Sequence, residues 1–287
     1  MIILTGAGGF IGSVVLGYLN KQGITDFVLF DDLPTGDQYR NLNNKHYISL
    51  HSTAEMPSDP NGIEAVIHIG ADSSTLQTNW KSLYDTNVLS TRMWNQFCSE
   101  NKIPFIFTSS AAVYGNGDGP LNKYAFSKLT SENEINGVIL RLFNVYGPNE
   151  YHKGRMASTP YHWFNQAKQE SVIKVFEDSN QYFRDFIYVE DIAKTIHFFL
   201  NNYQEGVYDL GRGTSASFEY VATQCAIELG VEKVYIPMPD DLKAQYQKNT
   251  CAQVDALKDA GIDVNSFLTI DAGIKEYYKY LKTNQIY

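Results

Sequence analysis

The sequence predicts an α/β protein built on a doubly wound parallel sheet, and three observations support this fold class. Short apolar runs of strand length alternate with longer segments of helical periodicity. The first forty residues contain a strand, a glycine turn, a helix and a second strand, which together form one βαβ unit. At 287 residues, 44% of them hydrophobic and 19% charged, the chain can bury a sizeable core.

The elements can be assigned in order from the amino terminus. "MIILT" is typical of a buried strand, "GAGG" of a turn, "FIGSVVLGYLNKQG" of a helix ending at Gly23, and "FVLFDD" of a second strand. Further strands are predicted at 65–71, 104–111 and 137–143, and a helix is predicted at 82–102. Because strands and helices alternate, we expect the strands to lie parallel.

The chain is expected to form two lobes that are interleaved in sequence. Beyond Asn144 the composition shifts toward Tyr, His, Asn and Gln, and the strand rhythm weakens. The segment 184–202 returns to a strand-and-helix pattern. We therefore predict a first lobe of residues 1–143 and about 185–213, and a smaller second lobe of about 144–184 and 214–287.

Charge and cysteine content exclude several classes of protein. A net charge of −9 disfavours nucleic-acid binding, which needs a basic face. The apolar amino terminus has no basic lead and is broken by glycines, which argues against a signal peptide or membrane anchor and favours the cytoplasm. Cys98, Cys225 and Cys251 are far apart without metal-type spacing, so no metal site is expected.

The glycine turn predicts a dinucleotide site. Gly6, Gly9 and Gly12 allow a tight turn and close backbone approach, and the following helix offers free N–H groups to a pyrophosphate. A packing turn would also use glycine, but Asp31 and Asp32 close the next strand, where a carboxylate accepts hydrogen bonds from the ribose diol. The first lobe is thus the expected dinucleotide-binding domain, the second lobe binds substrate, and NAD is preferred over NADP.

Three residues form a candidate catalytic group. Ser110 ends a strand, in "TSSAAVYG", that should point at the cofactor. Tyr124 and Lys128, in "YAFSK", are four residues apart and share one face of a helix. A nearby ammonium favours phenolate, so we expect Lys128 to lower the pKa of Tyr124 and make it a base.

These motifs, "TGAGGFIG", "SSAAVYG" and "YAFSK", resemble the extended short-chain dehydrogenase/reductase family, which includes nucleotide-sugar epimerases and dehydratases. Later segments, among them "RLFNVYGPNEYHKGRMAS" and "VFEDSNQYFRDFIYVEDIA", are similar to the ADP-glycero-manno-heptose 6-epimerases within it. The resemblance covers most of the chain except 43–62 and a stretch after Gly115 that is shorter than the family pattern. It implies a Rossmann sheet, bound NAD with NADP possible, a nucleotide-sugar substrate and a homo-oligomer.

The resemblance also implies which residues bind the ligands. Its cofactor contacts are Gly6, Gly9, Phe10, Ile11, Gly12, Asp31, Asp32, Gly70, Ala71, Asn87, Tyr124, Lys128 and Val145. Its substrate contacts are Ser110, Asn144, His162, Phe176, Glu177, Asp178, Ser179, Arg184 and Tyr246. Arg184 has an independent reason, since a guanidinium binds diphosphate oxygens bidentately.

The stretch "NEYHKGRMAS" concentrates three basic side chains in an acidic protein: His152, Lys153 and Arg155. In such epimerases a hydride leaves a sugar carbon and returns to the opposite face, and at C6 rotation about C5–C6 presents both faces. Two acid/base groups then serve the two orientations, and the resemblance implies that Lys153 is the second, facing Tyr124. His152 and Arg155 are equally compatible with solvated loop charges. Arg155 and Asp178 depart from the family pattern.

Two other functions remain open at this point. The first is another nucleotide-sugar enzyme of the same fold, a 4-epimerase or a 4,6-dehydratase. A dehydratase would need a carboxylate pair just after Ser110, and "SSAAVYG" supplies none. The second is a non-catalytic NAD-sensing protein, which has no need to retain Ser110, Tyr124 and Lys128 together.

Overall fold

The structure is a computed structural model that describes residues 1–239, 248–283 and 287. Its strands are β1 (Ile2–Thr5), β2 (Phe27–Phe30), β3 (Ser49–His51), β4 (Ala65–His68), β5 (Phe105–Ser110), β6 (Val138–Leu142), β7 (Val145–Tyr146), β8 (Val172–Phe176), β9 (Phe183–Arg184), β10 (Ile187–Tyr188), β11 (Gly206–Leu210), β12 (Ala216–Ser217), β13 (Glu232–Ile236) and β14 (Asn249–Thr250). Seven of them form one parallel sheet in the order β11-β6-β5-β4-β1-β2-β3. The predicted doubly wound parallel fold is confirmed.

The helices in the described residues follow the predicted alternation. They are α1 (Phe10–Lys21), α2 (Trp80–Leu83), α3 (Ser90–Asn101), α4 (Lys123–Glu132), α5 (Thr159–Glu170), α6 (Val189–Asn201), α7 (Phe218–Leu229), α8 (Asp255–Asp259) and α9 (Ile270–Thr283). A π-helical turn at Tyr84–Leu89 joins α2 to α3, so the helix predicted at 82–102 is continuous but widened. None of the helices in the described part of the chain is long and apolar enough to cross a membrane.

The central sheet is covered on both faces, which explains its continuous apolar strands. β1 is buried along its whole length, with Ile2 and Leu4 in one core cluster and Ile3 in another. The first cluster includes α1 and α6, whereas the second includes Trp94 and Cys98 of α3. Side chains of a strand alternate between faces, so each short strand contributes to two hydrophobic layers.

A second hydrophobic core is formed by residues from β7 onward. β8 and β13 pair in parallel, and α5, α7 and α9 pack with them. Tyr146, Tyr277 and Tyr278 are the largest fully buried side chains of this cluster. These residues therefore form a hydrophobic core separate from that of the central sheet.

One later segment packs against the first lobe. Ala252, Leu257, Ile262 and Phe267 belong to the same core cluster as the central sheet. The predicted boundaries assign all of 214–287 to the second lobe, and they stay a prediction. In the structure the chain returns to the first core near residue 252 and leaves it near 267.

Candidate active site

The glycine turn brings two strand ends into close backbone contact. Gly6 has φ +67°, and a Cβ there would lie 2.6 Å from the Gly70 backbone that follows β4. A Cβ on Gly12 would overlap the carbonyl oxygen of Gly6. The Thr5 hydroxyl accepts a hydrogen bond from the Gly70 N–H at 3.0 Å. This compact cradle leaves backbone N–H groups at the start of α1 for a pyrophosphate, so the residues fit a dinucleotide.

The two aspartates that follow β2 have different partners. Asp31 is buried, and its carboxylate accepts from the Gly8 N–H at 2.9 Å and the Leu33 N–H at 2.8 Å. Burial raises the pKa of Asp31, although these backbone hydrogen bonds oppose the shift. Asp32 is exposed, and its carboxylate accepts from Ser52 and Thr53. Only Asp31 is therefore joined to the glycine turn.

Asn87 fixes the segment that follows β4. Its amide exchanges two hydrogen bonds with the Asp72 backbone, accepting from N–H at 2.8 Å and donating to C=O at 3.0 Å. The same amide donates to the Ser127 hydroxyl on α4 at 2.9 Å. Gly70 and Ala71 lie just before this clamp, so it holds their backbone between the glycine turn and the helix of Tyr124.

Ser110, Tyr124 and Lys128 come together at the carboxyl end of β5. A hydrogen bond joins the Ser110 hydroxyl to the Tyr124 phenol, which is buried. The Lys128 ammonium donates to the Thr108 carbonyl at 2.9 Å and lies 4.6 Å from the centre of the Phe107 ring. The structure thus places the predicted serine beside the predicted base.

The expected lowering of the Tyr124 pKa is wrong for this structure. Burial raises the pKa of Tyr124, the Ser110 hydrogen bond lowers it, and the charge of Asp72 raises it. Lys128 is directed at the strand backbone, and burial lowers its own pKa to about 7. The i to i+4 spacing put both groups on one helix face, but it could not reveal that both would be desolvated.

A charged network that the sequence analysis missed lies behind Lys128. The buried Glu132 carboxylate accepts from Ser109 and binds Arg141 at 2.5 Å. Arg141 also donates to the Tyr114 hydroxyl at 2.7 Å. Glu132 follows Lys128 by four residues on α4, and that spacing is the signal that could have identified it. The network fixes α4 against β5 and β6.

The turn that carries Lys153 is attached to the start of α1. The Lys153 ammonium lies 5.3 Å from the centre of the Phe10 ring, the first residue of that helix. Burial lowers the pKa of Lys153, and the charge of Glu150 opposes this. Asn149 donates to the Ser13 hydroxyl of α1 at 3.0 Å. Lys153 therefore lies next to the predicted cofactor turn.

Glu150 holds the same turn to the second lobe. It is buried and accepts hydrogen bonds from the Ser158 N–H at 2.5 Å and the Tyr277 hydroxyl at 2.8 Å. The sequence shows that Glu150 precedes Lys153 by three residues, but it does not reveal that Glu150 anchors the turn. The sequence did not decide whether His152 and Arg155 are solvated loop charges. In the structure His152 is half-buried and its Nδ1 lies 3.3 Å from the Asn41 amide nitrogen, whereas Arg155 is exposed.

Apart from Ser110 at the end of β5, the predicted substrate contacts among the described residues lie beyond β6. Asn144 donates to the Asp185 carbonyl at 3.3 Å. The next residue, the predicted cofactor contact Val145, pairs with Ile187. The Ser179 hydroxyl donates to Glu219 at 2.8 Å. A cavity of about 110 Å³ is lined by Thr159, Trp163, Lys174, Val175, Phe176, Ser179, Tyr182, Phe218 and Met238. The structure brings Phe176 and Ser179 together at this cavity.

The remaining predicted contacts are more scattered. Arg184 lies in β9 with its guanidinium 5.6 Å from the centre of the Phe218 ring. His162 lies on α5, and Glu177 and Asp178 follow β8. Tyr246 lies outside the described residues. Within the described part of the chain, no cluster of three or more His, Cys, Asp or Glu side chains is arranged to hold a metal ion.

The chain belongs to the NAD dependent epimerase/dehydratase family, whose sequence profile matches residues 2–211. It is 36% identical over 312 aligned residues to ADP-L-glycero-D-manno-heptose-6-epimerase of Brachyspira hyodysenteriae, with 98% of each chain covered. NAD is the cofactor of the family, and the glycine turn and Asp31 fit it.

Solved structures with the same fold include two epimerases. ADP-L-glycero-D-manno-heptose-6-epimerase of Helicobacter pylori matches with a TM-score of 0.79 at 25% identity, covering 98% of this chain and 96% of that one. UDP-N-acetylglucosamine 4-epimerase of Methanobrevibacter ruminantium matches with a TM-score of 0.84 at 23% identity, covering 99% and 98%. The second likeness establishes the fold alone, because one fold serves many substrates.

Proposed function

We propose that this protein is an NAD-dependent epimerase that inverts C6 of ADP-glycero-manno-heptose or a close nucleotide-sugar analogue. The observation that carries the proposal is the 36% identity, over nearly the full length of both chains, to an enzyme named for that reaction. The contact of Lys153 with Phe10 supports it, because it places a second ionisable group beside the cofactor turn.

The catalytic roles follow from the groups that the chain supplies. The glycine turn and Asp31 would hold NAD, which would supply the hydride chemistry at the substrate carbon. Tyr124 removes the proton from the C6 hydroxyl in one orientation, and Ser110 positions that oxygen through its bond to the phenol. Lys153 exchanges the proton in the other orientation. Lys128 holds α4 to β5 through its hydrogen bond to the Thr108 carbonyl.

Substrate binding is assigned to the second lobe. Arg184 binds the diphosphate, while Asn144 and His162 contact the sugar. Phe176, Glu177, Asp178 and Ser179 contact the substrate, with Asp178 in the sugar pocket, and the cavity lined by Phe176 and Ser179 supports the assignment of those two residues. Tyr246, Arg155 and the preference for NAD over NADP stay predictions, as do a homo-oligomer and a cytoplasmic location.

Substitution of Lys153 tests the two-base reaction. Lys153→Met should keep NAD and nucleotide-sugar binding, because the diphosphate contacts lie elsewhere, but lose C6 inversion by about two to four orders of magnitude. Tyr124→Phe should lose turnover similarly. We expect NMR of the products to show both C6 epimers with the unsubstituted enzyme and a single epimer with Lys153→Met.

Two results would contradict the proposal. If Lys153 only positions the phosphate, the substitution raises KM and leaves kcat and stereochemistry intact, the pattern of lost uniform binding. If the unsubstituted enzyme inverts C4 of a UDP- or GDP-hexose instead of C6 of the heptose, the substrate assignment is wrong.

A further inference from the structure

A buried asparagine joins the glycine turn to the turn that carries Lys153. Asn41 is fully buried in the short helical segment Gln38–Leu42 that follows β2. Its amide nitrogen lies 2.9 Å from the Gly8 carbonyl oxygen and 3.3 Å from the Asn149 carbonyl oxygen. These two carbonyls belong to segments more than a hundred residues apart, so one side chain connects the two turns.

The orientation of this amide is set by its neighbours. Both carbonyl oxygens can only accept hydrogen bonds, so the group facing them must be the NH₂ of Asn41. His152 Nδ1 lies 3.3 Å from the same nitrogen and adds a third contact from the Lys153 turn. Exchange of the amide nitrogen and oxygen would place two acceptors against each other.

The two ends of the Asn41 amide differ, because its nitrogen donates two hydrogen bonds whereas its oxygen has no partner. This oxygen is buried and has no hydrogen-bond partner among the described residues. A buried acceptor without a partner destabilises a fold, and an apolar side chain of similar size would avoid that cost. A local cost of this kind is typical of a residue that serves function.

The Gly8 backbone is hydrogen-bonded both to Asp31, the predicted ribose ligand, and to Asn41, which contacts the turn that carries Lys153. Its N–H donates to the Asp31 carboxylate, while its C=O accepts from Asn41. Asn41 therefore connects the Gly8 carbonyl of the glycine turn to Asn149 and His152. Lys153 follows His152 directly, and its ammonium already contacts Phe10.

We propose that Asn41 is a positioning residue that makes the placement of Lys153 depend on cofactor binding at the glycine turn. The significance for catalysis rests on the proposed function of Lys153, whereas the coupling itself does not. Because coupling between two sites is reciprocal, NAD binding orders the 149–156 turn, and an ordered turn favours NAD. The second acid/base is then in place only when the hydride acceptor is bound.

Hydrogen exchange measures this coupling without any sugar substrate. In the full-length protein we expect NAD to slow amide exchange in both 6–12 and 149–156. In Asn41→Leu, NAD should still protect 6–12 but should no longer protect 149–156. Asn43→Ala is the matched control, since Asn43 is exposed two residues away, and it should behave like the unsubstituted protein.

Kinetics provide the second measurement. A misplaced acid/base costs about 10- to 100-fold in kcat, so Asn41→Leu should lose that much while KM stays within about threefold. His152→Ala removes only the third contact and should shift exchange and kcat in the same direction by less. This variant keeps the test valid if Asn41→Leu does not fold.

Each outcome is decisive for one proposal. Equal NAD protection of 149–156 in Asn41→Leu and the unsubstituted protein, or none in either, overturns the coupling. A rise in KM at constant kcat in Asn41→Leu would leave the coupling standing but overturn its significance for catalysis. If NAD protects 149–156 through Asn41 but the unsubstituted enzyme leaves ADP-heptose unchanged, the coupling stands and the proposed reaction is wrong.

Discussion

At the scale of single residues, the chemistry of the site depends on burial more than on spacing. The sequence was sufficient to pair Tyr124 with Lys128 and to select Ser110, because helix and strand periodicity fix which side chains share a face. The sequence did not reveal in which direction the pKa values of Tyr124 and Lys128 shift. Tyr124 and Lys128 are desolvated by strands and helices from distant parts of the chain, which no local pattern contains.

Lys128 gives a pH-dependent prediction. Its pKa in the folded protein is about 7, against 10.5 for an unperturbed lysine, so between these values the unfolded chain binds more protons. The free energy of unfolding should therefore rise with pH across this window, by up to about 1.4 kcal/mol per pH unit from this group. Below pH 7 Lys128 is protonated in both the folded and the unfolded chain, so this group adds no further change in the free energy of unfolding with pH.

Urea unfolding at several pH values checks this prediction. The free energy of unfolding of the unsubstituted protein minus that of Lys128→Met should increase from pH 7 to pH 10. The same difference for Lys168→Met, at an exposed position, should stay constant. Parallel stability curves for the unsubstituted protein and Lys128→Met would mean that Lys128 stays protonated when folded.

At the scale of elements, the βαβ unit was predicted closely. The helix expected over 10–23 is Phe10–Lys21, and the flanking strands agree within two residues. Glycine spacing and apolar periodicity are local signals, so the sequence contains them. Two contacts of this turn, that of Gly6 with Gly70 and that of Gly8 with Asn41, join elements distant in sequence. No local sequence pattern indicates them.

Gly12→Ala tests the packing of this unit. The added Cβ would meet the Gly6 backbone, which cannot move aside as a flexible side chain can, so the turn must widen. We expect the dissociation constant for NAD to rise at least tenfold, about 1.4 kcal/mol, by calorimetric titration. Gly17→Ala in the same helix meets only the end of the Lys45 side chain and should bind NAD normally. Unchanged affinity in Gly12→Ala would mean that the close approach is not needed.

At the scale of the whole molecule, the two lobes are more interleaved than composition indicated. The weakening strand rhythm after Asn144 predicts a second lobe, and the structure has a separate core cluster among the residues that follow. Composition does not report which core a late segment joins. Residues near 252–267 pack with the central sheet, and Asp185 links them to the end of β11 by accepting from the N–H groups of Arg212 and Ala252.

Leu257→Ala tests whether this late segment stabilises the first lobe. Leu257 is fully buried on α8 among residues of the first core, so its truncation leaves a cavity and should lower the free energy of unfolding by about 2–5 kcal/mol. Ile227, exposed on α7, is the control, and Ile227→Ala should change stability by less than about 0.5 kcal/mol. Urea unfolding followed with and without NAD supplies the measurement.

Because the segment belongs to the core beneath the cofactor turn, Leu257→Ala should lower the urea midpoint of the unfolding transition that NAD stabilises. A loss confined to a transition insensitive to NAD would show that 252–267 stabilises the second lobe instead.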